Sequence, residues 1–224
     1  MRLASLKQGG PDGNLILVDR TLTRAVSAVT LAPSLRAALD DWENLEPGLR
    51  DLAAELEAGG GVKGTPLNFR TLTAPLPRAA QFLDASGYLN HIELARRARG
   101  DRLPKTLLND PLMYQGASEP LGGPCDPILA AEESWGIDFE AETAVIIGPV
   151  AMGVVPEKAA NSIRLIMLIN DVSARRLVPA ELEKGFGFVH GKPPSACSAV
   201  AVTPDALGDA WDGARLHGRI KSTL

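Results

Sequence analysis

Asp138, Glu140 and Glu142 fall at every second position within residues 137–148, Ile-Asp-Phe-Glu-Ala-Glu-Thr-Ala-Val-Ile-Ile-Gly. On a strand that spacing puts all three carboxylates on one face. No obvious basic partner adjoins them, so they repel one another, and such a cluster responds by taking up a proton or binding a cation. The strand runs on into the apolar stretch 144–147, stopped by Gly148-Pro149, which reads as a buried strand end. Carboxylates at the mouth of a buried sheet point to a divalent-metal site. The other reading of the same three residues is a solvated acidic face on an edge strand.

Further side chains of this kind lie far away in sequence. Asp84 and His91 are seven apart, which brings both to one side if the segment is helical throughout. Taken by itself, His91 reads as a surface helix histidine. Asp171 ends the apolar run 163–169 within Asn170-Asp171-Val172-Ser173, and a buried strand stopping there delivers a carboxylate to the end of a sheet. A turn or helix cap is the alternative use of Asp171. Lys192 closes the stretch Lys-Gly-Phe-Gly-Phe-Val-His-Gly-Lys. That stretch is not a phosphate loop: its glycines have the wrong spacing, and Pro193 stands where a Ser or Thr would be needed. It reads as a glycine-loosened loop that carries Lys192 to a fixed place.

Two sections of chain must position these groups. Residues 1 to about 24 read as short strands around turns, with a dense turn at 9–14 and an apolar strand at 15–18. A helix capped by Ser34 shows one face through Leu35, Leu39, Trp42 and Leu45. Pro47 allows a second start, and Leu49, Leu52 and Leu56 continue the pattern to Gly59-Gly60-Gly61. These pieces make a small α/β module over residues 1–75 with no chemistry of its own, linked onward through residues 73–77. The second section, 79–224, holds a helix at 88–99, a loop-like tract at 101–123 and a short strand at Ile128-Leu129. After the acidic strand come a helix start at Pro156, strands at 163–169 and 199–202, a turn at Pro204-Asp205 and a basic strand at 215–221.

The bulk numbers fit a soluble globular protein: 224 residues, 45% hydrophobic and 22% charged. A net charge of −4, without basic clusters interleaved with aromatics, argues against nucleic acid as a partner. Cys125 and Cys197 are isolated, which points away from zinc and disulfide frameworks. Nothing near Met1 resembles a leader and no window is apolar enough to span a bilayer, so the expected address is the cytoplasm, with no membrane partner.

Four motifs in order resemble the fumarylacetoacetate hydrolase family: Asp84 with His91; Asp138-Phe139-Glu140-Ala141-Glu142; Asn170-Asp171-Val172-Ser173-Ala174-Arg175; and Lys192 in its Gly-Lys loop. The match covers roughly residues 79 to 224, and the front module looks like the small N-terminal domain of some members. The resemblance implies an α+β, β-rich fold: a catalytic domain built as a roll of mixed strands, usually homodimeric, behind the small module. Because the family continues with further strands, it also implies that the C-terminal part of the domain lies beyond Leu224. By motif position the metal ligands would be Asp84, Glu140, Glu142 and Asp171, holding Mg²⁺ or else Mn²⁺ or Ca²⁺, as suits an all-oxygen set. His91 would be the water-activating base, Arg175 and Lys192 the cations facing an oxyanion, and Tyr114 a substrate contact in its loop. The implied reaction is metal-assisted hydrolysis of a C–C bond in a 2,4-dioxo acid or 1,3-diketone, as in aromatic amino acid catabolism. Arg176, Val178 and Ser86 stand where the hydrolases carry an acidic residue, a glutamine and a tyrosine. Decarboxylation, hydration or isomerisation of an oxo acid, or metal binding without turnover, are therefore the rival expectations.

Overall fold

The computed structural model describes residues 1–116 and 120–212, apart from the side chains of residues 98 and 99. The basic strand expected at 215–221 lies outside the described residues. Strands β1 (Arg2–Leu6), β2 (Asn14–Val18) and β3 (Arg24–Ser27) form an antiparallel meander, and β4 (Thr65–Pro66) pairs with β3. Residues 15–18 are buried on both faces. Leu15 and Leu17 join Leu3 in the main core, while Ile16 and Val18 pack with Ala4, Ala25 and Leu72 behind it. Burial on two sides is why this run is continuously apolar rather than alternating.

Helix α1 (Leu35–Asp40) starts at Ser34, whose hydroxyl accepts the Ala37 N–H at 3.2 Å. Helix α2 (Trp42–Ala58) ends at Gly59, whose φ of 67° only glycine adopts freely. The second start expected at Pro47 is instead at Trp42. Asp41 departs from helical geometry at φ −133° and its carboxylate accepts from the Asn44 side chain at 2.7 Å, so the break comes there and Pro47 falls inside α2. Leu35, Ala38, Trp42 and Leu49 seat both helices on the sheet.

Asp19 organises the β2–β3 turn. It is 2% exposed and accepts the backbone N–H groups of Thr23 at 2.8 Å and Arg24 at 3.0 Å. The hydroxyls of Thr21 and Thr23 and the Arg24 Nε complete its set. Burial opposes its ionisation, but these donors more than offset it and hold the carboxyl well below its ordinary range. The folded pKa is thus depressed, so the stabilisation is present above the ordinary carboxylate pKa and is lost as pH falls below it. Asp19→Ala strands those donors and is expected to cost about 3 kcal/mol in urea unfolding at neutral pH. A cost no larger at pH 7 than at the acid limit would remove this account of the turn.

The second section contributes β5 (Leu83–Ala85), α3 (Leu89–Arg99), β6 (Met113–Gln115), β7 (Ile137–Asp138), β8 (Ala141–Ile147) and α4 (Pro156–Ala159). Then follow β9 (Ile163–Asn170), β10 (Ser173–Ala174), α5 (Val178–Lys184), β11 (Ala196–Cys197) and β12 (Ala201–Val202). β9 is the hub. One edge pairs with β8 along its length; the other meets β12 at Ile166 and β11 at Ile169 and Asn170. β12 in turn pairs with β1, Leu3 opposite Ala201. Both sections therefore share one eight-stranded sheet, ordered β11-β9-β12-β1-β2-β3-β4 with β8 on the far side of β9. The fold is α+β and sheet-rich.

Several local expectations change. Ile128 and Leu129 form no strand and are 47% and 80% exposed, since two apolar residues behind Pro127 offer too short a run to pair. The 144–147 run is not a fully buried strand end: Ala144 and Ile146 face the core, while Val145 and Ile147 are 45% and 55% exposed. β8 is covered on one face, so it alternates. The acidic stretch is two strands, β7 and β8, interrupted at Phe139-Glu140. Tyr114 lies on β6 rather than in a loop, and α5 was not anticipated. Among the described residues no helix is long and apolar enough to cross a membrane.

Candidate active site

Two strand pairings deliver three carboxylates to one place. β8 holds Glu142 opposite Ile169 of β9, and Asp171 comes one residue after β9 ends, its N–H bonded to the Glu140 carbonyl at 3.0 Å. β5 pairs Asp84 with Tyr114 of β6, which puts both side chains on one face. Asp84, Glu142 and Asp171 each present an oxygen within 4.8 Å of the others. The Tyr114 hydroxyl donates to Asp84 and lies 3.3 Å from Asp171 Oδ2, while Ser195 Oγ donates to Asp171 Oδ1 at 3.2 Å. Asp171 itself is only 3% exposed.

Burial, then the charges of Asp84, Asp171 and Glu140, push Glu142 up to about 7. Asp84 is raised too, by burial first and by Asp171 beside it. Burial and the Asp84 acceptor keep the Tyr114 hydroxyl protonated far above its usual range. Crowded carboxylates displaced this way carry more negative charge than the site compensates, and a proton or a hard cation relieves it. The donors are all oxygen, with no imidazole or sulfur among the three, so the residues fit Mg²⁺, Mn²⁺ or Ca²⁺.

The acidic residues do have basic partners, contrary to the expectation from sequence. Arg175 Nε donates to Asp138 Oδ2 at 2.8 Å and its terminal nitrogen pairs with Glu140. That hydrogen bond holds Asp138 below the usual carboxylate range. Lys192 Nζ contacts Asp171, lies 2.7 Å from Ser173 Oγ and 3.4 Å from Glu140 Oε2, and its side chain is 10% exposed. Ser173 Oγ also donates to Glu140 Oε1 at 2.8 Å. Glu140 is thus gripped by Arg175, Ser173 and Lys192, beside the converging three rather than among them.

Residues 81–223 match the family described as Fumarylacetoacetate (FAA) hydrolase C-terminal, and residues 1–78 match Fumarylacetoacetase N-terminal domain 2. The chain belongs to the fumarylacetoacetate hydrolase family. It is 27% identical over 172 residues to the 2,4-didehydro-3-deoxy-L-rhamnonate hydrolase of Sphingomonas sp. (strain SKA58), covering 73% of this chain and 59% of that protein. The chain therefore spans about three fifths of that relative's length. A 66-residue stretch is 35% identical to the mitochondrial oxaloacetate tautomerase fahd2 of Xenopus laevis, 30% of this chain and 21% of that one. Among solved structures, the maleylpyruvate hydrolase of Sphingobium sp. SYK-6, in complex with manganese (II) ion and pyruvate, superposes with a TM-score of 0.60 at 18% identity, covering 93% of this chain and 69% of that one. That likeness is one of fold.

Of the family's motif positions, the structure brings together Asp84, Glu142 and Asp171, with Tyr114, Lys192, Glu140 and Arg175 around them. It does not join His91 to them. His91 is exposed on the first turn of α3 and, among the described residues, makes no hydrogen bond or ion pair with the carboxylates. Nor do Asp84 and His91 share a helix. Asp84 is on β5, and Tyr88 is still extended at φ −98°, ψ 100°, so α3 starts too late to include it. Ser195, Glu181 and Phe188 were missed. Phe188 stands edge-on to Tyr114 with ring centroids 4.9 Å apart. Ser173 had a signal, two residues after Asp171 in the quoted motif; Ser195 had none.

Proposed function

We propose that this chain carries the catalytic site of a metal-dependent hydrolase that cleaves a C–C bond in a 2,4-dioxo acid or related 1,3-diketone. What carries the reading is the convergence of Asp84, Glu142 and Asp171 beside the ammonium of Lys192. Those carboxylates would hold a divalent cation, Mg²⁺ or Mn²⁺, with Glu140 completing the motif-implied set from the position Lys192 bridges to Asp171. Bound there, such a cation polarises a substrate's oxo and enol oxygens as a Lewis acid. His91, carried on α3, would take a proton from the water that adds to the distal carbonyl. Lys192 and Arg175 would face the oxyanion so formed, and Tyr114 would orient the substrate. As the C–C bond breaks, its electron pair leaves with the oxo-enol fragment, and the proton on the imidazolium returns to it.

The test offers acylpyruvates and oxaloacetate to the protein with Mg²⁺ or Mn²⁺ while enol absorbance and products are followed. Formation of pyruvate plus a second carboxylic acid supports hydrolysis. Loss of no substrate under any metal removes the enzyme reading. Enol–keto interconversion without cleavage would favour the second reading, a tautomerase or other enolate enzyme. That reading has its own support: Val178, where the hydrolases carry a glutamine, is a 7% exposed apolar side chain with no hydrogen bond to offer an oxyanion. In either case His91→Asn is expected to lower turnover about 10²–10⁴-fold while the metal-dependent melting shift persists. If the shift disappears instead, His91 is not the base. The proposal includes a homodimer in the cytoplasm, and light scattering giving a monomer mass would remove the dimer.

A further inference from the structure

Glu181 has no role in the chemistry above, yet the residue is 8% exposed and both oxygens of its carboxylate accept backbone N–H groups. Val178 and Glu181, three residues apart on α5, are the buried pair of that helix. Glu181 Oε1 accepts the His190 N–H at 2.7 Å and Oε2 accepts the Gly191 N–H at 2.9 Å. From the other side the Gly191 carbonyl accepts the Ala174 N–H at 2.9 Å. Gly191 is therefore held between α5 and β10, immediately before Lys192. The approach is close: a Cβ there would lie 2.7 Å from Glu181 Oε2 and 3.0 Å from Val178 Cγ2, so any larger residue would have to displace the carboxylate that holds the loop. Burial opposes ionisation of Glu181, but the backbone donors of His190, Gly191 and Val189 offset it and hold the carboxyl below its ordinary range. The His190 ring, 3.8 Å away and 76% exposed, contributes little.

A lysine side chain is long and costly to immobilise, so where its ammonium stands depends on how firmly its backbone is fixed. We infer that Glu181 is a positioning residue that clamps the His190–Gly191 backbone so that the Lys192 ammonium stands at Asp171, Ser173 and Glu140. Its consequence for turnover rests on the reading of Lys192 as the oxyanion cation; its consequence for the loop does not.

The experiment compares the full chain with Glu181→Gln and Glu181→Ala in three readouts: amide exchange at residues 190 and 191, reductive methylation of Lys192 followed by mass spectrometry, and kcat against KM on any oxo acid the wild type consumes. Glu181→Ala is expected to speed both exchange and Lys192 methylation about tenfold or more, because charge-assisted bonds to two amides are lost. It should lower kcat more than it raises KM. Glu181→Gln keeps one acceptor oxygen and should fall between, and it carries the same readouts if the alanine variant does not fold. Exchange and methylation equal to wild type in both variants would overturn the inference. Faster labelling in a protein that turns over nothing would uphold the clamp and sink the proposed function. Wild-type labelling and unchanged kcat in Glu181→Ala, with Lys192→Met slowed as the oxyanion role requires, would sink the clamp and uphold the proposed function.

Discussion

Chelator-treated protein given Mg²⁺ or Mn²⁺ at about 100 times the dissociation constant will melt about 5–11 °C higher, and Glu142→Ala will not respond. The size follows from linkage: a ligand at that excess stabilises the folded state by about 2.7 kcal/mol, and for a chain of this length each kcal/mol moves the melting temperature by about 2–4 °C. The sign in the absence of metal is opposite. Glu142 is pushed up to about 7 by burial first and then by Asp84, Asp171 and Glu140, so its ionised form opposes folding. A carboxyl raised in the folded state favours folding most below its unfolded pKa, and that contribution is lost as pH rises toward about 7. Metal-free Glu142→Gln should therefore melt no lower than metal-free wild type at pH 7, with a flatter stability profile between pH about 4.5 and 7. Differential scanning fluorimetry with and without metal reads both effects. A wild-type melting temperature indifferent to either ion would dissolve the site.

What the sequence made legible was local. The strand that stops just before Asp171, the Ser34 cap and the apolar strand at 15–18 all depend on neighbours a few residues away, and all are where the pattern puts them. What stayed hidden was set by distant pairing. Nothing near Glu140 announces that Arg175 and Lys192, 35 and 52 residues on, neutralise it. The break between β7 and β8 is equally non-local. Residue 138 pairs with β10 and residues 141–147 with β9, so the acidic residues belong to two ladders. The front section reads as a small module because helical and strand signals cluster there, but the sequence does not show how it attaches to the rest. In the fold, Leu3 pairs with Ala201, an antiparallel contact that no periodicity within either section encodes. Periodicity reports which face of an element is buried, but not which element buries it.

Lys192→Met is expected to lower kcat about 10²–10³-fold at saturating Mn²⁺, the range for loss of one preorganised donor at a developing oxyanion. The side chain is 10% exposed and its ammonium touches Asp171, Ser173 and Glu140, so it is a fixed charge in a poorly solvated place, where electrostatic contacts are strongest. Its removal should leave Mn²⁺ affinity unchanged or tighter, because a competing positive charge departs from Asp171. The combination distinguishes an electrostatic role from a structural one. A lysine that merely filled space would be replaced by methionine with little change in kcat, and one needed to assemble the carboxylates would lose metal on substitution. Lys192→Arg should recover only part of the rate, since a planar guanidinium does not present a point charge to three acceptors at once. Calorimetric Mn²⁺ binding beside steady-state kinetics reads both variants. A methionine variant within about twofold of wild type, well short of the loss expected for a preorganised donor, would place the oxyanion elsewhere, with Arg175 the next side chain to test.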